Sequence, residues 1–369
     1  MNIAFFCIPA HGHTNPTLAV VRELTARGHT VRYYTTEAFR AKVEAAGAVF
    51  VPFDTEAARP GMTAADGARL GSDLAFSTKL IVDLTLAADD WLSRELTAHR
   101  PDVIAGDSMA FWAKLAAKKH GIPFVSSTTT FAFNRFSAKV IGQNGAGFLQ
   151  FLLAQPRINR QLKRLRAAGY AVKSVFDIIA NDNETETVVY TSPDFQPCAD
   201  TFSEKYHFVG PLLRPAQSSF EKLPGRSLIY ISLGTVNNDA LPFYRACLAA
   251  FGGDPRFQLV LSAGTQTDLA ALGPIPENCT VRASVDQMAV LDCADVFLTH
   301  CGMNSASEGL WHGLPLVLYP QTPEQHGVAN RVAALGAGVP LTDPSADGIR
   351  RAVEAALTDP AYRENAQKL

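Results

Sequence analysis

At 369 residues the chain has the length of two domains rather than one. A net charge of −2 leaves no electrostatic footprint for nucleic acid. No apolar run approaches the roughly 18 residues of a membrane span, and the start, Met1 to His13, lacks the basic region and long apolar core of a signal peptide. The six cysteines (Cys7, Cys198, Cys247, Cys279, Cys293, Cys301) contain no Cys-x-x-Cys pair, which predicts reduced, buried thiols in a cytoplasmic protein and no zinc site.

Ile3 to Ile8 is a continuous apolar run, expected of a strand covered on both faces. Pro9 to Asn15 reads as a loop, with Pro16 in the first turn of a helix that stops at Gly28. Strand Thr30 to Thr35, helix Glu37 to Ala46 and strand Val49 to Phe53 follow. This alternation with short glycine links predicts a doubly wound parallel sheet. Pro60 to Ser77, rich in Gly, Ala and polar residues, reads as a mobile loop, and helical spacing returns from Ile81 to His99. Strand Val103 to Gly106 leads through Asp107 and Ser108 into a helix ending at His120, and Pro123 to Ser127 is another strand. Phe131, Phe133, Phe136, Phe148 and Phe151 cluster in a stretch broken by Gly142, Gly145 and Gly147. Val188 to Thr191 and His207 to Val209 read as the last strands of this half.

Residues 212–227, with Pro215, Pro224 and Gly225, read as a linker between a domain at 1–211 and a second at 228–369. Strand Leu228 to Leu233 restarts the alternation, with Gly234 and Thr235 in the turn after it. Helix Leu241 to Phe251, strands Phe257 to Leu261 and Cys279 to Arg282, and a short helix Gln287 to Cys293 come next. The most informative stretch runs from Val296 to Glu308: an apolar strand, a histidine at its end, a turn at Gly302, then Asn304 and Ser305 at a helix start. Ser305 and Glu308 have the spacing of a capping box. The amides of such a start, backed by the helix dipole, form an anion site. Strand Leu314 to Tyr319 and helices Glu324 to Leu335 and Ser345 to Leu357 complete the chain, whose last helix shows no stop signal before Leu369.

Thr299-His-Cys-Gly-Met-Asn-Ser-Ala-Ser-Glu308, followed by Gly313-Leu-Pro-Leu and Pro320-Gln-Thr-Pro-Glu-Gln325, resembles the donor signature of family 1 glycosyltransferases, the UDP-glycosyltransferase superfamily. Pro9-Ala-His-Gly-His-Thr-Asn-Pro16 resembles the amino-terminal motif of its bacterial, macrolide-type branch. The similarity runs from Met1 to about Ala337. It implies a GT-B fold, two facing Rossmann-like parallel-sheet domains with an interdomain cleft.

It also implies an inverting, metal-independent hexosyltransferase that needs no cofactor. The donor would be a nucleotide diphosphate sugar, UDP-glucose or a dTDP-sugar, and the acceptor an apolar small molecule such as a macrolide, polyketide or flavonoid. The assembly would be a monomer or homodimer. By the resemblance His13 is the base, matching the chemistry of a side chain poised near neutral pH. Asp107 would hold the far nitrogen of its ring; read from the residues alone, Asp107 serves equally as a helix cap. His11 reads as a loop residue. On the donor side the family pattern places His300, Asn304 and Ser305 with the Gly302 turn on the pyrophosphate, and Thr235 beside them. Gln287 and Glu308 would take the ribose, and Glu324 with Gln325 the sugar hydroxyls; a cap for Glu308 and a polar helix start for the pair explain those residues as well. Phe131, Phe133, Phe136 and Phe148 either line an acceptor pocket or fill the core.

Two departures from the pattern stand out. Ser284-Val285-Asp286-Gln287 lacks the aromatic residue that stacks on the base, which opens the choice between uridine and thymidine, while Val285 still offers backbone groups to the base edge. Relatives also continue into a further helix that this sequence lacks. A lipid-linked-sugar transferase or nucleotide-sugar epimerase of the same fold, and a noncatalytic nucleotide-sugar-binding activator, are the competing readings.

Overall fold

The computed structural model describes residues 1–53, 73–137, 146–181, 183–235 and 237–369, with residues 146–152 described by backbone alone. It divides into two compact units, Met1–Leu212 and Leu213–Leu369.

The first unit contains strands β1 (Asn2–Phe6), β2 (Thr30–Thr35), β3 (Val49–Pro52), β4 (Val103–Asp107), β5 (Phe124–Thr128), β6 (Glu186–Val189) and β7 (Tyr206–Phe208). They form one sheet in the order β3-β2-β1-β4-β5-β6-β7, and every pairing is parallel. Helices α1 (His11–Ala26), α2 (Arg40–Ala45), α3 (Leu74–His99), α4 (Phe111–His120), α5 (Ala146–Ala167) and α6 (Phe176–Ile179) connect them. Alternate residues of β1 point to opposite faces, and both sets are buried: Ile3 and Phe5 pack with Val21, Tyr33 and Val43, Ala4 and Phe6 with Tyr34, Leu92 and Trp112. Phe6 stacks on Tyr34 at 4.2 Å and Phe5 on Tyr33 at 5.0 Å, so neighbouring strands are locked in register on both faces.

The second unit repeats the design with β8 (Ser227–Ser232), β9 (Phe257–Ser262), β10 (Cys279–Arg282), β11 (Val296–Thr299), β12 (Leu316–Leu318) and β13 (Gly338–Pro340), ordered β10-β9-β8-β11-β12-β13 and all parallel. Its helices are α7 (Leu241–Phe251), α8 (Gln287–Leu291), α9 (Met303–Trp311), α10 (Pro323–Ala334), α11 (Ala346–Thr358) and α12 (Pro360–Ala366). In each sheet the winding reverses between the first strand and its inner neighbour, β1 with β4 and β8 with β11. Ligands of such folds bind beyond the carboxyl ends of the strands at that reversal.

Several boundaries differ from the expectations. Helix α1 begins at His11, five residues before Pro16, so His13 lies in a helix rather than in a loop. Proline inside a helix loses one ladder bond, and burial of Thr14, Thr17, Leu18 and Val21 on one face offsets that loss. Helix α3 starts at Leu74, capped by Asp73 Oδ1 accepting from Phe76 N at 3.0 Å, so residues 74–77 of the expected 60–77 loop are helical; residues 60–72 lie outside the described residues. The capping box at Ser305 and Glu308 does not form: Gly302 is the cap of α9, which places Ser305 in the first turn. The reciprocal box is at Thr322 and Gln325. The stretch expected as a linker is tied to the second unit: Gln217 N and Ser218 N donate to Asp286 at 2.6 and 2.9 Å, and Leu223 N to Gln258 at 2.8 Å. Helices α5 and α12 and strand β13 lie outside the sequence expectations.

Candidate active site

His13 sits in the first turn of α1, its amide donating to Ala10 O at 3.0 Å, just beyond the carboxyl end of β1. Asp107 is the last residue of β4. The winding of the first sheet thus delivers both to its reversal point. His13 Nδ1 donates to Asp107 Oδ2 at 2.7 Å, with the carboxylate fully buried and the imidazole 16% exposed. Asp107 Oδ1 accepts from Met109 N at 2.9 Å, closing a turn that ends before α4, whose cap is Ala110. The helix-cap reading of Asp107 is therefore replaced by a double role: one oxygen fixes the loop, and the other fixes the ring. With the proton held on Nδ1, the basic lone pair of this tautomer is on Nε2. Thr129, which the sequence reading passed over, adds a hydroxyl 3.0 Å from the same Nδ1. Behind the pair, burial and the Asp107 charge push the Cys7 thiol up, out of reach of a thiolate role.

The phenylalanine cluster divides. Phe131 is buried against Phe195 at 5.2 Å between ring centres, whereas Phe133 and Phe136 are 48% and 41% exposed. Phe148 falls at the start of α5, and its side chain is outside the described residues. Phe131 and Phe133, with Met109, Ile178 and Ile179, line a pocket of about 120 Å³ that reaches Asp107. Its wall includes Ser126, whose buried hydroxyl has no hydrogen-bond partner among the described residues.

In the second unit His300 follows β11 and Gly234 follows β8, again at the reversal of the sheet. The imidazole is wedged between two glycines. A Cβ on Gly234 would stand 2.6 Å from His300 Cε1 and Nε2, and one on Gly302 would stand 2.6 Å from Nε2. Gly234 also has φ of +80°, so both space and backbone demand glycine there. Gly234→Ala is expected to destabilise the second unit by about 1–3 kcal/mol; an unchanged urea midpoint would contradict the wedge. Burial pushes His300 down to about 4, with the Ser232 backbone opposing, so the ring is neutral near pH 7. Next to it begins α9, with Asn304 and Ser305 in its first turn, half-buried. Thr235 lies exposed in the turn after β8.

Gln287 and Glu308 come together. Gln287 Nε2 donates to Glu308 Oε2, and Tyr230 OH donates to Gln287 Oε1 at 3.0 Å. Burial pushes the Glu308 carboxyl up, while Gln287 and the Arg214 charge oppose it. Ser284 is exposed and Val285 half-buried at the approach to α8. Gln325 spends its carbonyl oxygen on Gln321 N and Thr322 N at 2.8 and 3.2 Å, and Glu324 is exposed beside it. Arg214 and Tyr230 are the residues missed here. One lay in an apparent linker and the other in an apolar run, so neither carried a motif.

Residues 257–369 match the family described as "Erythromycin biosynthesis protein CIII-like, C-terminal domain". The NDP-glycosyltransferase YjiC of Bacillus licheniformis is 33% identical over 377 aligned positions, covering 100% of this chain and 92% of the relative. The chain belongs to the macrolide-type branch of the family 1 GT-B glycosyltransferases. The demethyllactenocin mycarosyltransferase of Streptomyces fradiae is 32% identical, with coverage of 100% and 82%. Among solved structures, the glycosyltransferase of kitacinnamycin superposes with a TM-score of 0.85 at 30% identity, covering 100% of this chain and 93% of that one. The two wound parallel sheets of this glycosyltransferase are the GT-B architecture. No helix among the described residues is long and apolar enough to cross a membrane.

Proposed function

We propose that this glycosyltransferase moves a hexose, glucose in the first instance, from a UDP-sugar or dTDP-sugar to a hydroxyl of an apolar small molecule, with inversion and without a metal or cofactor. The observation that carries the reading is the 2.7 Å bond from His13 Nδ1 to Asp107. It is the arrangement a general base needs, one nitrogen anchored to a carboxylate and the other basic. In the reaction Nε2 takes the acceptor's proton as its oxygen attacks the anomeric carbon, and the bond to the diphosphate breaks on the opposite face. Charge growing on the leaving diphosphate is met by the neutral N–H of His300 and by the amides and polar side chains of Asn304 and Ser305 at the start of α9. Gln287 and Glu308 hold the ribose, and Glu324 with the amide of Gln325 the sugar hydroxyls. Gly302 lets the chain come close to the phosphates, Thr235 adds a hydroxyl there, and Ser284 with Val285 borders the base.

The acceptor reading rests on Phe131 and Phe133 in the pocket beside Asp107, with the exposed ring of Phe136 nearby in sequence. A macrolide, polyketide or flavonoid hydroxyl fits that chemistry. Two relatives bear natural-product names, the demethyllactenocin mycarosyltransferase and an oleandomycin glycosyltransferase. A cytoplasmic monomer or homodimer is the matching state. The His13–Asp107 pair favours this reading over an epimerase, a lipid-linked-sugar transferase or a noncatalytic activator.

The test is a mass-spectrometric panel of UDP- and dTDP-sugars against macrolide and phenolic acceptors. Transfer from a UDP- or dTDP-hexose to an acceptor hydroxyl, with the opposite anomeric configuration in the product, is expected. Product with retained configuration, or donor binding without transfer to any hydroxyl acceptor, overturns it.

A further inference from the structure

We infer that Arg214 is a nucleobase-binding residue of the donor site, its guanidinium supplying the flat face that Ser284 does not. The inference rests on the donor-site reading of the second unit and deepens it. Arg214 stands at the start of that unit, in a stretch of irregular backbone that is nonetheless tightly held. Asp286 is the hub. Its Oδ2 accepts from Gln217 N at 2.6 Å, Ser218 N at 2.9 Å and Ser218 Oγ at 3.2 Å. Its Oδ1 makes no hydrogen bond of good geometry among the described residues and faces Arg214 Nη1 at 3.3 Å. Burial pushes Asp286 up, but the two amides and the Arg214 charge more than offset it, so the anion that anchors Arg214 persists.

The anchored guanidinium is placed for a ligand. Asp286 is two residues beyond Ser284 and one before Gln287, so Arg214 borders the strand-to-helix turn that leads into α8. Its charge reaches both Glu308 and Tyr230, the groups bonded to Gln287. Yet the side chain remains 46% exposed. A purely structural arginine beside a half-buried carboxylate would be expected to close a bidentate pair. This one closes no hydrogen bond of good geometry to Asp286 Oδ1 among the described residues and leaves nearly half its surface outward. A planar, weakly hydrated cation with an open face stacks on aromatic heterocycles, and a nucleobase is the heterocycle a nucleoside diphosphate brings. Lysine at this position would keep the charge and lose the plane.

Calorimetric titration of the full chain with UDP and dTDP, and with inorganic pyrophosphate, tests the assignment in wild type, Arg214→Ala and Arg214→Lys, with urea midpoints confirming that each variant is folded. Both variants are expected to weaken the preferred nucleotide about tenfold, the scale of one stacked base, with pyrophosphate binding unchanged. Wild-type nucleotide affinity in both variants overturns the inference alone. So does an Arg214→Lys variant that binds like wild type, or a parallel loss of pyrophosphate, since either makes the residue a charge and not a platform. If wild type binds neither nucleotide, the donor-site reading falls and takes this one with it.

Discussion

Asp107→Asn is expected to lower kcat about 10³–10⁴-fold while leaving the Kd for the nucleotide diphosphate within about twofold. The carboxylate accepts from His13 Nδ1 at 2.7 Å, and its other oxygen accepts from Met109 N at 2.9 Å. An asparagine has one acceptor oxygen for these two donors. If that oxygen stays on Met109, its amide points at His13 and forces the proton onto Nε2, the nitrogen that must be basic. His13→Ala removes the base itself and is expected to cost about 10²–10⁴-fold in kcat. Because the two residues act as a unit, the double variant should be scarcely slower than the worse single one. Steady-state kinetics on any hydroxyl acceptor, with calorimetry for nucleotide binding, measures all three. Wild-type turnover in either single variant removes His13 as the base.

His300 carries the second large effect. His300→Ala should reduce kcat about 10²–10³-fold, the cost of one preorganised donor to a developing anion. The same residue sets a stability signature. Burial holds its folded pKa near 4 against an ordinary 6.5. As pH falls from about 6.5 to 4, the unfolded ring takes a proton that the folded ring refuses, so stability declines across that window, by roughly 3 kcal/mol in full. Glu308 works against this, because burial raises its pKa and the folded state takes up its proton first. Urea midpoints at pH 7.5 and 4.5 should therefore fall less in His300→Asn than in wild type. Equal falls would show that the imidazole is not wedged as described.

The fold was legible because the central strands are buried apolar runs, as in Ile3–Cys7 and Leu228–Ser232, and because two-sided burial admits little else; the short outer strand β13, only partly buried, carried no such run. His300 and Gly302 were legible for a related reason: strand, turn and helix follow one another with no insertion. The errors share a cause of another kind. Pro16 suggested a helix start by a local rule, but the buried face of α1 already extends to Thr14. Ser305 and Glu308 suggested a cap by spacing, while a side chain from α8 claimed the carboxylate. Helix α5 was hidden by Gly147 and Pro156. Arg214 and Thr129 were out of reach because their partners, Asp286 and His13, stand 72 and 116 positions further along or back in the chain. Contacts of that range leave no periodicity in a single sequence.

All six cysteines are unpaired by disulfide, and Cys7, Cys247, Cys279 and Cys301 are buried with their thiols pushed up by burial. Thiolate is the species that reacts with alkylating dyes and mild oxidants, so these four are nearly inert near neutral pH. A cysteine introduced on the open surface would then outcompete them for a maleimide fluorophore. The enzyme could carry a distance reporter for spectroscopy once the two half-buried thiols, Cys198 and Cys293, are replaced, with the four buried ones left in place.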